Sequence, residues 1–168
     1  MTRLVVFDLD EVLWSMPNGY CALMSPPLEV RGRHVTDANG LYLELREDAV
    51  PTLDALRARG FSISVASRSR PVVAAEILRA LGLLDYFLAP CFEWQDKDLS
   101  LARILGDLER GHGLRVTPEE VLFVDDWPSN VRDAVRVGVR GVVYGRDVKN
   151  LSDVVSYLDA ERASADAV

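Results

Sequence analysis

Three short runs, each ending in a polar residue, constrain this chain more than any other feature. Leu4-Val5-Val6-Phe7 ends in Asp8-Leu9-Asp10, Phe61-Ser62-Ile63-Ser64-Val65-Ala66 ends in Ser67, and Val121-Leu122-Phe123-Val124 ends in Asp125-Asp126. A brief apolar run without helical spacing is the signature of a strand buried on both faces, as in a parallel sheet. Helical patterns separate the runs. One covers Asp48 to Arg59, with Val50, Leu53 and Leu56 on one face, and stops at Gly60. A second runs from Pro71 to Leu81 ahead of Gly82, and a third from Leu99 to about Arg110 ahead of Gly111-His112-Gly113. Pro128 opens a fourth and Leu151 to Leu158 forms a fifth, Pro being favoured in the first helical turn. Further strands are predicted near Tyr86–Leu88 and at Gly141–Tyr144. Strands alternating with helices predict an α/β fold: a three-layer, Rossmann-like parallel sheet with helices on both faces.

Residues 14–45 follow no helical period. They carry Pro26-Pro27, then two alternating stretches either side of Asp37-Ala38-Asn39-Gly40, and Asn-Gly is a strong hairpin signal. This predicts a small β-flap inserted after strand 1. About 30 residues leave no room for a large cap domain. The whole chain, 1–168, reads as one domain, with a small polar tail at 160–168 expected to fray.

Composition narrows the function classes. The net charge is −7, which argues against a nucleic-acid binder that works by neutralising phosphates. The longest uncharged stretch, Val12–Leu28, is interrupted by Asn18, Gly19 and three prolines, so no membrane span is expected. Cys21 and Cys91 lie far apart, and neither pairs with His34 or His112 at metal-ligand spacing. A reducing, cytoplasmic location without a signal peptide is the expectation.

The chemistry is concentrated at the ends of the three runs. In open α/β sheets, ligands bind at the carboxyl ends of the strands. If the three strands are neighbours, Asp8, Asp10, Ser67, Asp125 and Asp126 share one edge. Two like charges about 4 Å apart repel by roughly 4 kcal/mol at an effective dielectric of 20, so four carboxylates call for a cation. An all-oxygen ligand set points to Mg2+. Simpler readings stand beside this one. Asp8 and Asp10 suit a turn, Asp126 suits a helix N-cap before Pro128, and Ser67 suits a cap equally well. Arg68 and Arg70 next to a helix start oppose the helix dipole, which implies that an anion is expected there or that they point to solvent. Lys97 is one of only two lysines, with Lys149, among many arginines, and either marks a need for a compact ammonium or is a solvated loop residue. On the flap, Trp14 is favoured as a substrate contact, whereas Tyr20, Arg33 and Tyr42 read as hairpin packing.

Taken in order, these residues resemble the haloacid dehalogenase superfamily of phosphohydrolases. Leu4 to Val12 matches its first motif, an apolar strand followed by Asp-x-Asp-x and then Thr or Val. Ser67, Lys97 and Asp125-Asp126 match the second, third and fourth, and the resemblance spans residues 1 to about 145. Asp-Leu-Asp-Glu-Val-Leu-Trp, Ala66-Ser67-Arg68 and Asn130 are similar to the small magnesium-dependent phosphatases, linked to phosphotyrosine and sugar phosphates. Glu11 departs from the Gly, Asn or Tyr usual at its position.

The resemblance implies Asp8 as nucleophile and Asp10 as general acid and base. It implies Ser67, Arg68 and Lys97 as phosphate-binding. Mg2+ would be held by Asp8, the Asp10 backbone carbonyl and Asp126, with Asp125 and Asn130 supporting from behind. The implied partner is a phosphorylated substrate, a small molecule or a phosphoprotein. A receiver-like phosphate-accepting module is disfavoured by motif order, because there the acceptor Asp ends a middle strand and the acidic pair follows the first. A partner-binding scaffold is weakened because no motif position is missing. The acyl-charging branch of the superfamily shares Leu13-Trp14 but usually carries an additional domain.

Overall fold

A computed structural model describes residues 1–166. In chain order the strands are β1 (Leu4–Phe7), β2 (Trp14–Ser15), β3 (Glu29–Arg31), β4 (His34–Thr36), β5 (Tyr42–Leu45), β6 (Ser62–Ser67), β7 (Cys91–Phe92), β8 (Val121–Asp125) and β9 (Arg140–Val143). The helices are α1 (Ala49–Ala58), α2 (Pro71–Ala80), α3 (Lys97–His112), α4 (Pro128–Arg136) and α5 (Ser152–Asp166). Five strands form a parallel sheet in the order β7-β6-β1-β8-β9, and the flap is a separate antiparallel sheet in the order β2-β5-β4-β3.

The sheet separates two cores because successive side chains of a strand point to opposite faces. Val5 and Phe7 of β1 pack with Leu53 and Leu56 of α1, Ile77 of α2 and Val154 and Leu158 of α5. Leu4 and Val6 pack on the other face with Leu101, Ile104 and Leu108 of α3 and Ala134 of α4. The three-layer α/β architecture is therefore the one expected, with no large cap among the described residues. β1 lies at the centre, with Phe7 in register with Val65 on one side and Val124 on the other. The ends of β1, β6 and β8 thus meet at one edge.

The flap hairpin turns at Asp37–Leu41, where Gly40 takes φ +83°, in the left-handed region that favours glycine. Burial opposes ionisation of Asp37. Backbone N–H groups of Ser25, Asn39 and Leu41 outweigh it and hold the carboxyl below its ordinary value.

Three elements differ from the sequence expectation. The strand predicted near Tyr86–Leu88 is β7 at Cys91–Phe92, and Leu84–Tyr86 is a 3-10 turn. The chain reaches the sheet at Leu88, whose N–H donates to the Ile63 carbonyl at 2.8 Å. Pro90 then interrupts the ladder because it has no N–H to offer. Second, α3 starts two residues before Leu99 and runs through Gly111, ending only at Gly113, where φ is +63°. Third, α5 continues to Asp166 rather than ending at Leu158, so residues 160–166 are helical; positions 167 and 168 lie outside the described residues. Ala160 and Ala163 are strong helix formers. Glu161 accepts from Thr2 N at 3.1 Å, and Arg162 lies over the Phe61 ring at 4.3 Å, which anchors the extension.

Candidate active site

The carboxyl edge of the sheet holds the cluster the sequence implied. Asp8 follows β1, and its N–H still bonds the Val124 carbonyl at 2.9 Å, so its side chain leaves the sheet between β6 and β8. Lys97, the first residue of α3, is buried with 2% of its surface exposed. Its Nζ donates to Asp8 Oδ1 at 2.8 Å and to the Ala66 carbonyl at 2.5 Å, and lies 3.4 Å from Asp125 Oδ2. A charge so deeply placed is stable only when paired and hydrogen-bonded, and this ammonium has both.

Asp125 is wholly buried. Its carboxylate accepts the Trp127 N–H at 2.8 Å, and both oxygens accept Asn130 Nδ2 at 3.0 Å. Burial, and then the charge of Asp8, raise its pKa against the pull of Lys97. Asp126 is pushed up to about 7, first by burial and then by Asp125 and Asp8. Oxygens of Asp8, Asp125 and Asp126 all lie within 4.8 Å of one another. Three carboxylates thus face one ammonium, and the donor set is oxygen alone. This excess of hard anionic ligands suits Mg2+. Asp125, expected behind the metal, is within this cluster, and the Asp10 side chain is outside it.

Asp10 is held differently. Its Oδ1 accepts Trp14 Nε1 at 2.7 Å, and both oxygens accept the Cys21 N–H at 3.2 Å. Burial raises its pKa, opposed by the Trp14 bond and assisted by Asp8. Glu11 follows in the left-handed region at φ +59°, unusual for a residue with a side chain.

A cavity of about 460 Å3 opens over these groups. Asp8, Asp10, Ser67, Arg68, Lys97, Asp126 and Asn130 all line it, and Asp125 lies beneath against Lys97 and Asn130, so the structure brings every predicted site residue together. Ser67 is not a helix cap, since α2 begins at Pro71 behind Arg70. Asp126 is not one either, because α4 takes Trp127 at its N-cap and the Asp125 carboxylate accepts that residue's N–H. Arg68 Nε donates to the Gln95 carbonyl at 3.0 Å, which ties the cavity wall to the loop before Lys97.

Three expectations fail. Arg70 does not await an anion: its guanidinium binds the flap carbonyls of Ala22, at 2.8 Å, and Met24. Trp14 does not face substrate, because it is wholly buried and spends its N–H on Asp10. Tyr20, read as packing, lines the cavity instead. Trp94, Trp127 and Ser129 also line it and were not singled out for this role. Each follows a strand of the parallel sheet, a position that the ligand-edge rule marks for inspection.

The sequence matches the acid phosphatase family over residues 1–152. No curated protein sequence matches it. Among solved structures, an uncharacterized protein from Listeria monocytogenes serotype 4b is similar with a TM-score of 0.68 at 21% identity, over 97% of this chain and 99% of that one. A HAD phosphatase from Thermococcus onnurineus gives 0.60 at 22% identity, over 69% of this chain and 59% of its own. The N-terminal part of the protein BF1531 from Bacteroides fragilis, containing a phosphatase domain complexed with Mg, gives 0.63 at 18% identity, over 94% of this chain and 39% of that one. At these identities the structural likeness speaks for the fold, and the family match for membership. The chain belongs to the acid phosphatase family, and its fold resembles that of a HAD-superfamily hydrolase and a HAD phosphatase.

Proposed function

We propose that the protein is a Mg2+-dependent phosphomonoesterase that forms an aspartyl phosphate on Asp8. The observation that carries this is the meeting of Asp8, Asp10, Lys97 and Asp126 in one cavity, with the buried Asp125 carboxylate clustered against Asp8 and Asp126 from beneath. An Asp8 oxygen attacks phosphorus in line, and the bond to the leaving oxygen breaks. Asp10, whose raised pKa favours the protonated form, donates its proton to that oxygen. Its carboxylate then takes a proton from water, which attacks the aspartyl phosphate and releases inorganic phosphate. Lys97 and Ser67 hold phosphoryl oxygens through both steps. Asp8 and Asp126, with the Asp10 backbone carbonyl, would hold Mg2+, and Asp125 steadies them. When bound, the ion neutralises charge between nucleophile and phosphoryl group.

Hydrolysis of p-nitrophenyl phosphate with Mg2+, and its loss in EDTA, tests the reading. Silence under both conditions would sink it. Proton competition gives a second check. Mg2+ binding must expel the Asp126 proton below pH 7, so apparent affinity should weaken about tenfold per pH unit there and level off above. The metal-free protein has the opposite slope. Asp126 rises on folding from 3.8 to about 7, so the stability it contributes is full below that window and lost as pH climbs through it. Calorimetric titration of Mg2+ across this range would reveal a flat profile if Asp126 is no ligand.

Tyr20, Trp94 and Trp127 are 58%, 70% and 59% exposed at the cavity mouth. Rings left in water beside an uncapped site favour a flat leaving group, so the reading extends to phosphotyrosine, in a protein or free, ahead of sugar phosphates. Trp94→Ala should lower kcat/KM for a phosphotyrosine peptide about tenfold and leave that for glucose 6-phosphate unchanged. Equal losses on both substrates would count against this preference.

A further inference from the structure

Arg46 leaves β5 of the flap and meets the turn that follows Asp10. Its N–H donates to the Leu13 carbonyl at 3.0 Å, its Nε to the Val12 carbonyl at 2.8 Å, and its Nη2 to the Glu11 carbonyl at 2.7 Å. These are three successive carbonyls, beginning one residue past Asp10. The turn itself gives them little support. The N–H groups of Val12, Leu13 and Trp14 all converge on the Leu9 carbonyl, at 3.2, 2.9 and 3.4 Å, and the chain does not continue as a helix. Carbonyls at such an end need an outside donor. Glu11, in the left-handed region, adds strain that the surroundings must hold.

The guanidinium is fixed from its other side. It lies over the Tyr144 ring, 4.7 Å from the centroid, and the Tyr144 N–H donates to the Asp125 carbonyl at 3.0 Å. Arg46 therefore ties the turn after Asp10 to the end of β8. The turn in turn carries Trp14, whose indole holds the Asp10 carboxylate.

We propose that Arg46 is a positioning residue for Asp10, setting the carboxyl that protonates the leaving group by holding the turn beneath it. The proposal rests on the reading of Asp10 as general acid. Only a planar fork donates to two adjacent carbonyls while stacking on a ring, so lysine would not substitute.

The test uses aryl phosphates whose leaving groups range from p-nitrophenol to unsubstituted phenol, with Mg2+ present. kcat/KM reports the steps up to departure of the leaving group. A nitrophenolate leaves with little help, whereas phenolate needs the proton, so a misplaced acid harms the poorer leaving group more. Arg46→Ala is expected to lose about 100-fold with phenyl phosphate, the scale of an ångström-level misplacement, and clearly less with p-nitrophenyl phosphate. The dependence of log kcat/KM on leaving-group acidity thus steepens. Arg46→Lys should show the same steepening, and it serves if the alanine variant fails to fold. Added guanidinium at low millimolar concentration should restore part of the loss in Arg46→Ala. A wild type inactive on every ester would sink the phosphatase reading, and this proposal with it. An active wild type with variants whose losses are parallel along the series, or absent, would overturn the proposal alone.

Discussion

Asp8→Asn is expected to remove turnover by a factor on the order of 10^4 to 10^6, the scale seen when a catalytic nucleophile is deleted. The amide is nearly the shape of the carboxylate and keeps an oxygen for Lys97 Nζ, which donates to Asp8 Oδ1 at 2.8 Å. It is a poor nucleophile and forms no acyl phosphate. The variant should also remain folded, because removing one of three clustered carboxylates relieves repulsion on Asp125 and Asp126, both of which Asp8 pushes up. Its melting temperature without Mg2+ should equal or exceed that of the wild type. Turnover near the wild-type rate would remove Asp8 from the mechanism, and a collapsed circular dichroism spectrum would recast it as structural.

Lys97→Met carries the largest expected stability effect. Lys97 supplies the one ammonium between Asp8 and Asp125, at 2.8 and 3.4 Å, and has 2% of its surface exposed. Deleting one partner of a buried ion pair leaves charge with no compensation and costs about 3–5 kcal/mol. Asp125, already above its ordinary value, would rise further once its cation is gone. A folded pKa raised above the unfolded one stabilises at low pH and loses that contribution as pH climbs. The deficit of Lys97→Met relative to wild type should therefore be larger in mildly alkaline than in mildly acidic buffer. Mg2+ should recover part of it. Urea denaturation in both buffers checks the sign, and a deficit independent of pH would mean that lost packing dominates.

What the sequence shows plainly is what has a local signature. β1 and β8 stand out because a strand covered on both faces has no polar side, and Asp8, Asp125 and Asp126 stand out because they end those strands. β7 has no such signature: its two residues, Cys91 and Phe92, carry no pattern, and their pairing depends on where Ala66 and Ser67 lie. The length of α5 depends on Thr2, at the far end of the chain. The same distinction divides the site. That Asp8, Ser67, Lys97 and Asp126 share a cavity follows from the order of the strands. Trp14 turning inward to Asp10, Tyr20 turning outward, and Arg70 serving the flap are settled by tertiary contacts that no spacing encodes.

The central place of β1 has a consequence for biosynthesis. β1 is made first, yet its two neighbours, β6 and β8, appear only at Ser62 and Val121. Until the second of these is translated, Leu4-Val5-Val6-Phe7 has at least one bare edge, and such a segment is prone to pair with other chains. Charge beside a sticky strand guards against that. Asp8 and Asp10 stand immediately after it, where charges of this kind disfavour pairing with other chains while β1 still lacks a neighbour.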